Sequence, residues 1–490
     1  MLIGKFVSIA SLSCDGKGDY EFEMNRPNII LITVDDQRYG TINALGNKEI
    51  ITPNLDELAK TGTSFIQAHI PGGTTGAVCM PSRAMIHTGK NHFNWSSDGA
   101  TIPDDHTLLG EALQQEGYTT FATGKWHNGT ETFNRSFSDG ENIFFGGMWD
   151  HWNVPVSDYD QTVQYDNIKS FITNPMLQDS VTRMHCDRIY PGKHSTDLFA
   201  ETAIDWLDCY QGKTPFFMNL AFMSPHDPRN APRKFMDMYD PDKIDLPINF
   251  VGEHPFDFGV NNIRDEVLLS HPRKEEDVRT HIAQYYAMIT HHDDQIGQII
   301  TKLKQKGLYE NTIVVFLADH GLALGQHGLL GKQNNYDHSV RVPLILSGPG
   351  IPENELRDSY VYHFDIFPTL CDLIGIEIPT SVEGISMLPV LNDQTVCLRD
   401  NLYFSYADKV RATKDKRYKL IEYIVDSTIY TQLFDLHEDP AEMNNLYDVE
   451  GYEEIIPQLR EQMQKFRDEW NEERHPTGKA FWENYRKYQK

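Results

Sequence analysis

Four apolar runs that each stop at a polar cluster constrain this chain more than any other feature. Residues Asn28–Val34 are followed at once by Asp35-Asp36, residues 216–222 by Ser224-Pro225-His226, and residues Thr312–Ala318 by Asp319-His320-Gly321. A fourth run, 118–122, leads into Gly124-Lys125-Trp126-His127. Unbroken runs rich in β-branched and aromatic residues suit strands buried on both faces of a parallel sheet, where neither face is polar. Helical patterns lie between them: Leu108-Leu109 with Ala112-Leu113, closed by Gly117, and Ile296 with Ile299-Ile300 and Leu303, closed by Gly307. The alternation predicts an α/β fold with a doubly wound, mostly parallel sheet. Ligands of such sheets sit outside the carboxyl ends of the strands, so the four clusters are expected to converge on one site. Asp35, Asp36 and Asp319 would there be carboxylates beside an apolar core, where unpaired charge is costly and a bound divalent cation is the usual remedy. After a lone strand, Asp-Asp would read only as a turn and helix cap.

A second feature supplies a nucleophile. In Cys79-Met80-Pro81-Ser82-Arg83, continuing through Ala84-Met85-Ile86-His87 to Thr88-Gly89, Pro81 suits a first helical turn and Met85-Ile86 supply apolar positions inside it. Cys79 therefore falls at the helix mouth, where free N–H groups and the positive dipole end favour an anion. An isolated cysteine there would be an ordinary thiol. The pattern Cys-x-Pro-Ser-Arg ending in Thr-Gly, however, resembles the signature of the type I sulfatases of the alkaline phosphatase superfamily, and the resemblance runs from about residue 26 to 446.

That resemblance implies an alkaline-phosphatase-like fold and a Cys79 oxidised to Cα-formylglycine by a dedicated maturation enzyme. One oxygen of the hydrated aldehyde would attack the sulfur of a sulfate ester, and the other would later drive release of sulfate. It further implies that Asp35, Asp36, Asp319 and His320, with the residue at 79, hold a divalent cation. Calcium is the family expectation; His320 stands where many relatives carry Asn, and its nitrogen leaves magnesium, manganese or zinc open. Arg83, one turn after Cys79, would buttress the nucleophile, and Lys125 and Lys332 match two sulfate-binding lysines. His127 would be the base that collapses the diol. His226 would bind sulfate and protonate the departing alcohol.

Composition narrows the partners. With 44 basic and 71 acidic residues, the net charge of −27 argues against nucleic acid or anionic lipid, and requires the site to attract an anion locally with a cation and a few Lys or Arg. Six cysteines give no disulfide framework and no Cys-x-x-Cys pair. Apart from Cys79 and Cys14 they read as buried thiols, with Cys186/Cys209 the one pairing considered. Cys14 closes a short apolar N-terminus that looks like a bacterial lipoprotein signal. Residues 1–24 are accordingly read as a leader or a disordered terminus, which would place the protein in the periplasm or lipid-anchored at the envelope; without export it would be cytoplasmic. The run is far too short to span a membrane.

Residues 25–398 are expected to form the catalytic domain. From 399 to 490 the texture changes: residues 418–423 and 431–436 alternate like a half-exposed antiparallel sheet, and Ile455-Ile456, Leu459, Met463 and Phe466 form an apolar helix face, giving a smaller α+β subdomain. Several features are read as structural. His291-His292-Asp293-Asp294 falls in a helical pattern, His87 lies inside the signature helix, and residues 72–76 lack a phosphate-loop ending and read as slack backbone approaching Cys79. The aromatic segments 128–137 and 143–152 are expected to line the mouth and stack on a sugar ring. These segments loosely resemble those of bacterial sulfatases acting on polysaccharide and glycosaminoglycan fragments, uronate 2-O-sulfatases among them, and the resemblance implies a sulfated saccharide as substrate. The rivals are a phosphodiesterase or phosphonate monoester hydrolase of the same superfamily, and a non-catalytic sugar- or metal-binding relative, which the filled catalytic positions disfavour.

Overall fold

The computed structural model describes residues 26–172 and 181–488. The leader expected at 1–24, with Cys14, lies outside the described residues. The central sheet has eight strands: β1 (Asn28–Val34), β2 (Gly62–Phe65), β3 (Thr119–Lys125), β4 (Asp139–Phe144), β5 (Phe216–Ala221), β6 (Thr312–Ala318), β7 (Leu344–Ser347) and β8 (Glu355–Arg357). Their spatial order is β8-β2-β7-β6-β1-β5-β3-β4. The five strands from β6 to β4 run parallel, whereas β7 is antiparallel to both its neighbours. Every residue of β1, β5 and β6 is buried. Their continuous apolar character follows from that position, because helices cover both faces of a doubly wound sheet.

The signature forms α1 (Cys79–Thr88), whose residues are all buried except Met80. It ends where Gly89, at φ 64°, returns its N–H to the Met85 carbonyl. The helix α2 (Leu109–Gln115) precedes β3, α3 (Ser195–Cys209) precedes β5, and the 31-residue α4 (Glu275–Gln305) packs along α3.

The C-terminal part is an antiparallel meander of β9 (Leu402–Tyr406), β10 (Val410–Lys414), β11 (Tyr418–Val425) and β12 (Thr428–Asp435), with α5 (Ile455–Glu469) laid across β10 and β11. A final helix, α6 (Pro476–Tyr488), adds Phe481, Trp482 and Tyr485 to a separate core with Phe93, Tyr403 and Met463. The fifth strand of this sheet comes from far upstream: Gly72–Gly73 runs parallel to β9, opposite Ser405 and Tyr406. The expectation of slack backbone there is corrected. A Cβ on Gly72 would lie 2.0 Å from the Ser405 carbonyl oxygen, so glycine is what lets the two backbones pair.

The cysteine expectations are corrected in part. Cys186 and Cys209 are both free, and Cys209 and Cys397 are exposed rather than buried. Among the described residues no helix is long and apolar enough to cross a membrane.

Candidate active site

The carboxyl ends of four adjacent strands meet. From β1 come Asp35 and Asp36, from β6 Asp319 and His320, from β3 Lys125 and His127, and from the segment after β5 His226. Cys79 enters from the side as the first residue of α1. Gly124, at φ 95°, makes the approach of β3 possible: a Cβ there would lie 2.0 Å from the Ala221 carbonyl oxygen of β5. The strand register against β4 shifts between Ala122 and Gly124, just before Lys125.

The site's charges are buried and paired. Lys125 is bonded to Asp35, Lys332 Nζ lies 2.8 Å from Asp36 Oδ1, and Arg83 spans Asp319 Oδ2 at 2.9 Å and Asp35 Oδ2 at 3.4 Å. His320 faces all three carboxylates, at 3.1 Å from Asp36, 3.4 Å from Asp319 and 3.5 Å from Asp35. Burial would lift the Asp35 carboxyl, but Lys125, His320, His226 and Arg83 together hold it well below the usual carboxylate range. Asp319 is raised, by burial and by the Asp35 charge beside it. Burial alone would lower His320, yet Asp319 and Asp36 push it up to about 10. Lys332 is held well above its ordinary value because Asp36 and the neighbouring acids outweigh burial.

Cys79 Sγ lies 3.4 Å from His127 Nδ1. Burial disfavours its thiolate, but Lys125, His127 and Lys332 more than offset this and hold the thiol well below its ordinary range. His127 is fixed by close backbone: a Cβ on Gly147 would come within 2.8 Å of the imidazole. His226 Nε2 points toward Asp36 Oδ2 at 3.8 Å, while Nδ1 lies 2.8 Å from the Asp227 carbonyl oxygen.

These residues also fit a cation. Ligand atoms of Asp35, Cys79 and His320 lie within 4.8 Å of one another, as do those of Asp35, Asp36 and His226. Asp35 Oδ1 and His320 Nε2 lie 3.5 Å apart, buried and without a hydrogen bond, a pair that a cation would join on displacing the imidazole proton. Asp319 belongs to neither trio; Arg83 holds its Oδ2, while its Oδ1 faces His320 Nε2 at 3.4 Å.

Cys79, His127, His226 and Lys332 line one cavity of about 280 Å³. Lys125, Asp35 and Asp319 lie buried behind it. A larger cavity of about 700 Å³, between residues 248–256 and the C-terminal sheet, contains none of the groups at the strand ends. Gly147 and Met148 do line the smaller cavity, but so do Ile263, Arg264, Asp265 and Gln333, which carry no periodicity or motif that would mark them. The aromatic residues expected to stack on a sugar pack on one another instead: Phe133 and Phe137 close around Trp126, Phe145 lies against Phe133, and Trp149 meets Phe171. The histidine-aspartate run of α4 is structural. His291 pairs with Asp197 at 2.7 Å, and Asp293 accepts from the Asn54 and Leu55 amides at the start of helix Pro53–Lys60.

Comparison with known proteins gives two family matches, the "Sulfatase" model over residues 27–376 and the "N-sulphoglucosamine sulphohydrolase, C-terminal" model over 325–469. An arylsulfatase of Clostridium perfringens is 30% identical over 461 residues, covering 89% of this chain and 93% of its own. An N-acetylglucosamine-6-O-sulfatase of Bacteroides thetaiotaomicron is 26% identical over 523 residues, covering 91% and 88%. The solved phosphonate monoester hydrolase of Agrobacterium radiobacter superposes with a TM-score of 0.71 at 21% identity, covering 91% of this chain and 96% of that one, a likeness of fold.

Proposed function

Because this chain belongs to the sulfatase family and is a sulfuric ester hydrolase, we propose that it cleaves a sulfate monoester of a carbohydrate at the S–O bond, with Cys79 serving as formylglycine. The observation that carries the reading is the gathering of Cys79, His127, His226 and Lys332 around one cavity, with Lys125 and three acids directly behind. At about 280 Å³ the cavity falls just below the ~300–1,000 Å³ common for ligand pockets, which suits one sulfated sugar unit. The sulfated-sugar name of the Bacteroides relative points the same way. A polysaccharide or glycosaminoglycan fragment is the substrate class this favours, with uronate 2-O-sulfate as one candidate.

In this reading each residue has a separate task. Lys332, which lines the cavity, binds a sulfate oxygen and sets the sulfur in line with position 79; Lys125, the second lysine that the resemblance assigns to sulfate, adds its charge from behind the cavity, where it is bonded to Asp35. Arg83, tied to Asp319 and to the Lys125 carbonyl, keeps the start of α1 in register with the strand ends. His127 takes a proton at the side chain of residue 79 to release sulfate. His226 donates a proton to the departing sugar oxygen and binds the sulfate group. Asp35, Asp36, Asp319 and His320 would hold a divalent cation, calcium by family resemblance, which when bound polarises the sulfuryl oxygens and offsets the acids.

The test is Cys79→Ala, which should abolish turnover while leaving the thermal midpoint intact, together with peptide mass spectrometry of active enzyme. Active protein carrying only unmodified cysteine would overturn the formylglycine assignment. The sister reaction on phosphodiesters or phosphonate monoesters, suggested by the shared fold, would appear as faster turnover of aryl phosphate esters than of aryl sulfates.

A further inference from the structure

His151 lies in the segment read from sequence as a sugar-stacking loop, yet it is wholly buried. Both of its ring nitrogens are engaged. Nδ1 lies 2.7 Å from the Ser195 hydroxyl at the start of α3, and Nε2 lies 2.9 Å from the main-chain carbonyl oxygen of His226. The carbonyl is an acceptor only, so Nε2 carries the hydrogen and Nδ1 accepts from Ser195. The Ser195 amide donates to the His151 carbonyl at 2.7 Å, closing a second link between the same two residues. The ring of His194 stacks on His151 with centroids 5.0 Å apart and planes 2° from parallel. Burial keeps His151 neutral, with its pKa lowered to about 4, so this donor and acceptor arrangement persists across neutral pH.

The bond fixes the one polar backbone atom of His226 that nothing else holds. Among the described residues no other group donates to the His226 carbonyl; its amide donates to Met223 and its Nδ1 is turned back on Asp227. Three and four residues before His151, Met148 and Gly147 line the cavity. One imidazole therefore joins the cavity wall, the start of α3 and the backbone of His226.

We propose that His151 is a positioning residue that sets the orientation of His226 toward the leaving-group oxygen, acting through the His226 carbonyl without touching substrate. The proposal rests on the reading of His226 as the acid. A buried histidine kept only for packing would be matched by an isosteric apolar ring and would affect all substrates alike. A residue that aims an acid matters only where the leaving group needs a proton, since a phenolate departs without one.

The experiment compares His151→Phe, His151→Gln, Ser195→Ala, His226→Ala and the double variant His151→Phe/His226→Ala, each as full-length matured enzyme. The substrates are 4-nitrophenyl sulfate and the sugar sulfate that the unaltered enzyme turns over fastest. His151→Phe should lower kcat on the sugar sulfate by about tenfold, with KM and the aryl rate nearly unchanged, a fraction of the 10²–10⁴ attributed to general-acid help. His151→Gln, whose amide can replace both bonds, should restore most of the loss. Ser195→Ala, which spares the imidazole, should shift the sugar-to-aryl ratio in the same direction by less, and it keeps the test open should His151→Phe fold poorly. In the His226→Ala background His151→Phe should cost nothing more. Equal losses on both substrates, or a further tenfold loss in the double variant, would overturn the proposal. Equal losses for His226→Ala itself would instead overturn the assignment of His226 as the acid, and the proposal with it.

Discussion

The hydroxyl of Tyr285, on α4, donates to the main-chain carbonyl of Asp36 at 2.6 Å and accepts the Arg38 amide at 2.9 Å. Asp36 sits at φ 73°, a left-handed conformation that costs a non-glycine residue on the order of 1–3 kcal/mol and persists only where surroundings enforce it. Tyr285, fully buried, enforces it from the carbonyl side, and the Asp36 amide donates to Asp319 Oδ1 at 3.3 Å.

Tyr285→Phe should therefore act on the cation site from a distance. It leaves a buried carbonyl and a buried amide unpaired, a loss of about 1–3 kcal/mol for each group. Cation affinity measured by calorimetry should fall about tenfold, and the thermal midpoint should drop. Unchanged affinity would mean that Asp36 holds its conformation unaided.

Removing the cation should destabilise the fold as well as stop turnover, because Asp35, Asp36, Asp319 and His320 crowd charge into a dry volume. A cation held at 100 times its dissociation constant contributes about 2.7 kcal/mol. Differential scanning calorimetry with and without chelator reads this directly, and a midpoint indifferent to chelation would contradict the assignment.

His127→Ala should slow sugar and aryl sulfates alike, since its task at position 79 follows departure of the alcohol. Its 3.4 Å contact with Cys79 is what the proposed role on the enzyme side of the reaction rests on. Intact-protein mass spectrometry should detect enzyme retaining a sulfate group. A loss confined to sugar substrates would move His127 to the leaving-group side.

Acid should weaken the protein through its buried neutral histidines. His254, His281 and His327 have pKa values lowered to about 4, first by burial. Each is depressed below the ordinary 6.5 of the unfolded chain, so its contribution is complete above pH 6.5 and erodes as pH falls toward 4, where only the unfolded chain is taking up protons. Denaturant midpoints measured from pH 7 to pH 4.5 should fall steadily. A flat profile would show that these histidines charge in place.

The strand ends were readable because β1, β5 and β6 have no polar face, so each run announces both its burial and the point where it stops. The signature helix was readable for a similar reason: Pro81 and Gly89 punctuate it. Other features depend on tertiary placement that leaves no local trace. Ile263, Arg264 and Asp265 belong to an irregular stretch, and only the folded chain brings them to the cavity. The aromatic loop misled because Phe133, Phe137 and Trp126 have the composition of a stacking surface and the burial of a core. Residues 72–76 have the look of slack backbone because Gly72 suggests freedom, whereas it serves the close pairing with Ser405.

That pairing sets a clock. Among the described residues the only sheet neighbour of Gly72–Gly73 is β9, and Tyr406 is made long after Gly73. At ~5–20 residues per second, synthesis takes on the order of tens of seconds to cover the interval. Until then the backbone leading to Cys79 has no strand to join, so any enzyme that must reach this cysteine before it is buried works within a window that the ribosome controls.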